Sequence, residues 1–231
     1  MIRRLTLALT AVALAACGVG DGPIFPVRAA LYDWVTPDKV DPRSDRAPKI
    51  ADPVVIFTLD AAQRSSFLTV SDEFGLGRRF LIGFDVRVPG ALPQKPIKVS
   101  RFMRRDDPDV ELLSFELDAE RGLTFRGQTC VPADQLGDWN RVEARMRLSD
   151  RRSGYLEVFC NREPFWSVSG VRTVYPLDCQ DRAGCNARLT ELPDFEWSIG
   201  LISSLALRQA LSIEMQRLHF RELLYVPNRI R

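Results

Sequence analysis

Residues 141–148 read Arg-Val-Glu-Ala-Arg-Met-Arg-Leu, so a charged or polar side chain alternates with an apolar one through the whole stretch. An alternation of period two, with one charged and one apolar face, is typical of a half-buried antiparallel strand. A polar turn follows at 150–154, and residues 155–161 return with Leu156, Val158 and Cys160 on one face. The stretch therefore predicts a β-hairpin that lies on a hydrophobic core.

Short strands of the same kind are predicted along the chain from Val54 onward. Residues 80–88 alternate in the same way before the turn Pro89-Gly90, and further strands are predicted at 110–117, 121–126, 195–202 and 211–226. No long segment has the periodicity of an amphipathic helix. Residues 53–231 are therefore predicted to form one all-β domain, a sandwich or a barrel.

The first sixteen residues have the composition of a secretory signal. Arg3 and Arg4 precede an apolar run that is too short to cross a bilayer comfortably. The end of this run, Leu14-Ala15-Ala16-Cys17, resembles the lipobox of bacterial lipoproteins, in which the cysteine is lipidated and becomes the first mature residue. The resemblance implies a lipid anchor at Cys17, and Gly18 at the next position favours the outer membrane. An ordinary secretory signal is the alternative, and residues 17–52 are predicted to be a proline-rich tether.

Four further cysteines follow Cys17: Cys130, Cys160, Cys179 and Cys185. An even number in an oxidising envelope predicts two disulfides, for which three pairings are possible. The short polar loop at 180–184 favours a Cys179–Cys185 bond, which leaves Cys130 with Cys160. A zinc site is the alternative, but the sequence has no CxxC motif and its single histidine is distant. No metal or cofactor is predicted.

The charge of the chain is balanced. Arg3 and Arg4 account for the formal net charge of +2. The remaining residues include as many acids as bases, so no overall electrostatic field favours nucleic acid as a partner.

Four stretches resemble, in their order, the concanavalin-like jelly roll of the heparin-lyase-type polysaccharide lyases. They are a strand with a proline turn at 77–89, a tryptophan entry to a strand at 137–142, a hairpin at 153–163 and a strand at 195–201. The resemblance implies a jelly-roll β-sandwich. The lyases carry Gln and His on the strand after the proline turn, where this chain reads Lys-Val-Ser-Arg-Phe-Met at 98–103. Their Lys and Tyr are replaced by Ser198 and Ile202, so the resemblance extends to the fold but not to the catalytic residues.

A rearranged lyase site is predicted on the last strand, where Arg217, His219 and Arg221 share one face. Elimination from a uronate needs a group that neutralises the carboxylate, a base and an acid. Arginine suits the first role, and a histidine between two arginines has a lowered pKa and stays neutral, as a base should. The alternative is a solvated sheet face with one incidental histidine.

The candidate ligand-binding residues are Arg101, Arg105, Arg145 and Arg147, which form one basic face if their strands are neighbours. An arginine fork pairs with carboxylate or sulfate and therefore suits an acidic polysaccharide. Ordinary charged strand surface is the alternative, with Glu143 and Glu157 as partners.

The sequence thus predicts a lipid-anchored envelope protein that binds an acidic polysaccharide or another envelope glycan. Two alternatives stay open. One is a polysaccharide lyase, and the other is a structural lipoprotein that recognises a protein partner.

Overall fold

The computed structural model of the protein describes residues 43–51, 53–72, 76–107, 110–175, 179, 189 and 193–223. These ranges contain thirteen strands and one 3-10 helix at Ala133–Gln135. The strands are β1 (Lys49–Ala51), β2 (Val54–Leu59), β3 (Ser65–Asp72), β4 (Arg79–Arg87), β5 (Ile97–Arg104), β6 (Glu111–Asp118), β7 (Gly122–Phe125), β8 (Gln128–Val131), β9 (Asn140–Arg147), β10 (Gly154–Cys160), β11 (Glu163–Val171), β12 (Phe195–Ile202) and β13 (Leu211–Leu223).

The strands form two antiparallel sheets. The seven-stranded sheet has the order β1-β2-β13-β4-β9-β10-β11, and the six-stranded sheet has the order β3-β12-β5-β6-β7-β8. Both sheets also pair strands that are distant in sequence, as in β13 beside β4 and β12 beside β5. The predicted all-β sandwich is therefore confirmed, and its hairpin at 140–160 is formed by β9 and β10.

The core lies between the sheets because each strand turns one apolar face inward. Phe84, Phe102, Phe115 and Trp197 are almost completely buried there. The indole N–H of Trp197 donates to the hydroxyl of Ser100 at 2.8 Å, which satisfies its one polar group inside the core. The opposite face of each sheet carries polar and charged side chains, and it is there that a ligand has access.

A disulfide connects the two sheets. Cys130 on β8 is bonded to Cys160 on β10, as predicted. Cys179 is also disulfide-bonded, while its predicted partner Cys185 lies outside the described residues.

The ordered sheet begins before the predicted domain boundary at residue 53. Strand β1 pairs with β2 from Lys49 onward, and Asp45 accepts hydrogen bonds from the backbone of Arg64 and Ser65. The predicted signal and the lipidation site at Cys17 lie outside the described residues. Within the described ranges, no helix is long and apolar enough to cross a membrane.

Candidate functional site: two arginine-rich sheet faces

The seven predicted site residues are divided between the outer faces of the two sheets. Arg101 lies on β5, and Arg105 directly follows that strand of the six-stranded sheet. The other five lie on β9 and β13 of the seven-stranded sheet: Arg145, Arg147, Arg217, His219 and Arg221. A single basic face of Arg101, Arg105, Arg145 and Arg147 required their strands to be neighbours, and this condition is not met because β5 and β9 belong to different sheets.

On the six-stranded sheet, three arginines surround one buried carboxylate. The side chain of Glu196 on β12 is 1% exposed, and Arg43 contacts both of its oxygens, at 3.2 and 3.1 Å. Arg101 Nη2 lies 4.0 Å from Glu196 Oε1, and Arg105 Nε lies 3.8 Å from Oε2. The hydroxyl of Ser198 donates to Glu196 Oε1 at 3.4 Å. We call Arg43, Arg101, Arg105 and Glu196 the Glu196 cluster.

Strand pairing explains how this cluster assembles. In the antiparallel register, Arg101 on β5 stands opposite Ser198 on β12, and Met103 stands opposite Glu196. The resemblance to the polysaccharide lyases places the catalytic groups of those enzymes on strands that correspond to β5 and β12. In this structure the two strands pair directly. None of the described strands of the six-stranded sheet contains histidine or tyrosine. The cluster thus offers cationic forks and one carboxylate where the resemblance implies Gln, His, Lys and Tyr.

On the seven-stranded sheet, His219 belongs to a hydrogen-bonded network centred on Asp85 of β4. The side chain of Asp85 is fully buried, and Arg141 Nη1 donates to its Oδ1 at 3.0 Å. Arg217 pairs with Asp85 Oδ2 through its Nε at 2.5 Å. Arg141 Nη2 also donates to Glu143 Oε1 at 2.9 Å. The two carboxylates of the network, Asp85 and Glu143, are therefore both paired with arginine.

Both ring nitrogens of His219 are engaged in this network. Nδ1 lies 3.2 Å from the carbonyl oxygen of Arg217, to which only a protonated nitrogen can donate. Arg141 Nη2 lies 3.0 Å from Nδ1 and 3.1 Å from Nε2, so it contacts both nitrogens of the ring. Burial, and after it the charge of Arg141, lowers the pKa of His219 to about 4. The ring is thus neutral at pH 7, and the Arg141 guanidinium lies against both of its nitrogens.

A glycine provides the space for this arrangement. A Cβ atom at Gly83 on β4 would come within 2.5 Å of His219 Cε1 and Nε2. The histidine ring therefore lies directly over the glycine backbone, against the surface of the sheet. Sequence reasoning did not find Gly83 or Asp85, because their role depends on which strands become neighbours. The only signal was that both occupy polar-face positions of an alternating strand.

Arg145, Arg147 and Arg221 lie on the same outer face, beside the His219 network. Arg145 on β9 stands opposite Leu81 on β4, and Leu81 stands opposite Arg221 on β13. The guanidinium of Arg145 lies 4.4 Å from the ring centroid of Phe159. Arg147 Nη1 donates to the carbonyl of Ser153 at 3.4 Å.

The described ranges contain no group of three His, Cys, Asp or Glu side chains that would suit a metal ion. The cationic side chains on both faces are suited to anionic ligands instead. Trp197 cannot stack on a sugar ring, because it is buried in the core and does not reach either surface.

Solved structures with a similar architecture include polysaccharide lyases. An endo-β-1,4-glucuronan lyase from the fungus Trichoderma reesei is 10% identical, with a TM-score of 0.51 over 73% of this chain and 79% of that one. The alginate lyase AlgAT5 from polysaccharide lyase family 7 is also 10% identical, with a TM-score of 0.52 over 80% of this chain and 88% of that one.

A variant of alginate lyase Aly36B, solved with an alginate tetrasaccharide, has a TM-score of 0.53 at 10% identity over 79% of this chain and 85% of that one. No protein-family model matches the sequence, and no curated protein matches it. These similarities confirm the predicted jelly-roll fold. At such low identity they establish the fold alone.

Proposed function

We propose that this protein recognises a uronate-bearing acidic polysaccharide through the Glu196 cluster. The observation that carries the proposal is three guanidinium groups around one buried carboxylate. Three guanidinium groups thus converge on one buried carboxylate at an open sheet face. Arginine forks of this kind pair with the carboxylates of acidic sugars.

The exposure of the arginines supports a binding role. The side chains of Arg43 and Arg105 are 54% and 51% exposed, although the carboxylate between them is buried. Glu196 therefore contacts these arginines from the buried side, while the rest of each arginine side chain reaches solvent. Arg105 approaches Glu196 through Nε, which lies 3.8 Å from Oε2, and half of its side chain is exposed. A sugar carboxylate therefore has access to the exposed part of this arginine.

The names of the similar structures support the kind of ligand. They include a glucuronan lyase and alginate lyases, one of them solved with an alginate tetrasaccharide. Their presence favours the second candidate function, a polysaccharide lyase, more directly than binding alone. At the cluster, elimination would have to use Glu196 as the base. At His219 it would require Arg141 to move away from the ring nitrogens.

The test uses an alginate oligosaccharide and the full-length protein. Titration calorimetry measures binding, and modification of arginines by a dicarbonyl reagent, mapped by mass spectrometry, locates it. We expect the oligosaccharide to protect Arg43 and Arg105, and Arg105→Gln to weaken binding at this site about tenfold, as loss of a charged hydrogen bond implies. Arg105→Lys keeps the charge but loses the fork, so its effect should be intermediate.

Arg208→Gln is the matched control, because Arg208 is an exposed arginine in the loop between β12 and β13. Absence of binding to alginate and polygalacturonate, or binding that leaves Arg43 and Arg105 unprotected, would contradict the proposal. Ultraviolet absorbance of an unsaturated uronate product tests the lyase. If product forms, loss of activity in Glu196→Gln places the reaction at the cluster, and loss in His219→Gln places it on the opposite sheet.

A further inference from the structure

We propose that the outer face of the seven-stranded sheet carries a second, separate anion-binding surface that takes an oxyanion-bearing polysaccharide strand. Its residues are Arg79, Arg145, Arg147 and Arg221, which we call the arginine patch. The inference rests on the proposed function for the class of ligand, but it concerns the opposite sheet and does not depend on the Glu196 cluster.

The register of three neighbouring strands brings the four arginines together. Arg147 on β9 stands directly opposite Arg79 on β4. Arg145 is two residues from Arg147 on the same face of β9, about 7 Å away. Arg221 on β13 is two strands from Arg145, or about 10 Å. Four guanidinium groups therefore share one compact area of the sheet.

These cations lack acidic partners among the described residues. No ion pair involves any of the four, whereas Arg87, Arg141 and Arg217 on the same sheet each pair with a carboxylate. Glu157 on β10 stands opposite Arg145 on β9. Arg145 nevertheless forms no ion pair with Glu157 and stacks on the ring of Phe159 instead. The Nε atoms of Arg145, Arg147 and Arg221 are buried and have no hydrogen-bond partner. The patch therefore has an excess of positive charge and unused donors.

Such an arrangement costs stability. Like charges directly opposite each other on neighbouring strands repel, and Arg79 and Arg147 are such a pair. Proteins depart from favourable local pairing mainly where function requires it. An oxyanion placed between the guanidinium groups would remove the repulsion and satisfy the donors, so the patch is complementary to a negative ligand.

The shape of the patch indicates an extended ligand. The four side chains are half-buried on a continuous sheet surface, and they span three strands. A single small anion reaches at most two forks that are about 7 to 10 Å apart. A strand with repeated carboxylate or sulfate groups reaches all of them, and both groups fit the arginine fork.

The test compares wild-type protein with Arg79→Gln/Arg147→Gln, using an alginate oligosaccharide, a dextran sulfate oligosaccharide and neutral dextran. We expect the charged probes to protect the patch arginines from a dicarbonyl reagent. We expect the double variant to lose this binding by at least about tenfold. Lys95→Gln/Arg208→Gln removes the same charge from exposed loops and should bind as wild type does. The two charged probes distinguish a carboxylate ligand from a sulfate ligand.

Removal of the repulsive pair should also raise the thermal midpoint of the double variant by roughly 1–4 °C. A lower midpoint with unchanged binding would show that the arginines are structural and would overturn the inference. An equal loss of binding in the loop control would do so too, since net charge alone would then explain it. Arg105→Gln separates the two proposals: if it leaves all binding intact while the patch variant abolishes it, the Glu196 cluster fails and the patch stands.

Discussion

His219 shows how a residue's chemistry depends on neighbours that are distant in sequence. Flanking arginines predict a lowered pKa, and the pKa is lowered, but burial is the larger cause. That burial depends on Gly83 beneath the ring and on Arg141 beside it, which come from β4 and β9. The arginine whose charge matters most is Arg141, not a neighbour on the same strand. Sequence reasoning found the residue, whereas its environment required the strand pairing.

The lowered pKa of His219 predicts a pH-dependent stability. The unfolded chain binds a proton near pH 6.5, while the folded protein does so only near pH 4. The folded state is therefore favoured above pH 6.5, and this advantage is lost as the pH falls from 6.5 to 4. The loss is on the order of 3 kcal/mol. His219→Gln cannot take up the proton, so its free energy of unfolding should fall less over this window.

Urea unfolding of both proteins between pH 7 and pH 4 measures this difference. Carboxylates titrate alike in the two proteins, so the difference between the curves isolates the histidine. Parallel curves would mean that His219 has the same pKa in the folded and the unfolded chain.

At the scale of the element, a bulge in β13 decides which side chains reach the surface. Ile213 and Met215 face the core, so strict alternation would bury His219 and Arg221 and expose Phe220. The register shifts between Gln216 and His219, and Arg217 has a φ of 48°. An extra residue reverses the alternation, so that Phe220 packs in the core and His219 faces outward. Periodicity predicts the strand, but it does not predict the bulge.

Gly200 on β12 occupies a second irregularity, where the pairing with β5 shifts between Ile199 and Ile202. Its φ is 132°, and an added Cβ would lie 2.3 Å from the carbonyl oxygen of Ser66 and 2.6 Å from the ring of Phe57. Gly200→Ala should therefore destabilise the protein by about 2–4 kcal/mol, because both the backbone strain and the overlap must be relieved. Denaturant unfolding measures the change.

The matched control is Gly90→Ala. A Cβ atom at Gly90 would meet no atom within 4 Å, and this glycine follows Pro89 in the turn after β4. Its substitution should change stability by less than about 0.5 kcal/mol. Equal effects of the two substitutions would show that the close contacts at Gly200 relax without cost.

At the scale of the whole molecule, the sequence predicts the fold class, but it does not predict which side chains share the outer face of a sheet. Alternating strands and turns predict an all-β sandwich, because the two-residue period fixes which side chains are buried. They do not determine which strands pair. Alternation therefore gives no sign that Arg101 and Arg145 lie on opposite sheets. Arg43 was missed because its proline-rich surroundings predict a tether, whereas it packs against Glu196.

The Cys130–Cys160 disulfide is the covalent link between the two sheets, with a sequence separation of 30 residues. A closed loop of this length restricts the unfolded chain and should contribute about 3–4 kcal/mol to stability. Replacement of both cysteines by alanine should remove that contribution. Because the unfolded chain then expands, the dependence of the unfolding free energy on urea concentration should also become steeper. Each single alanine variant breaks the same bond, so it should lose nearly as much stability as the double variant. A double variant as stable as the wild type would show that packing between β8 and β10 holds the sheets together without the bond.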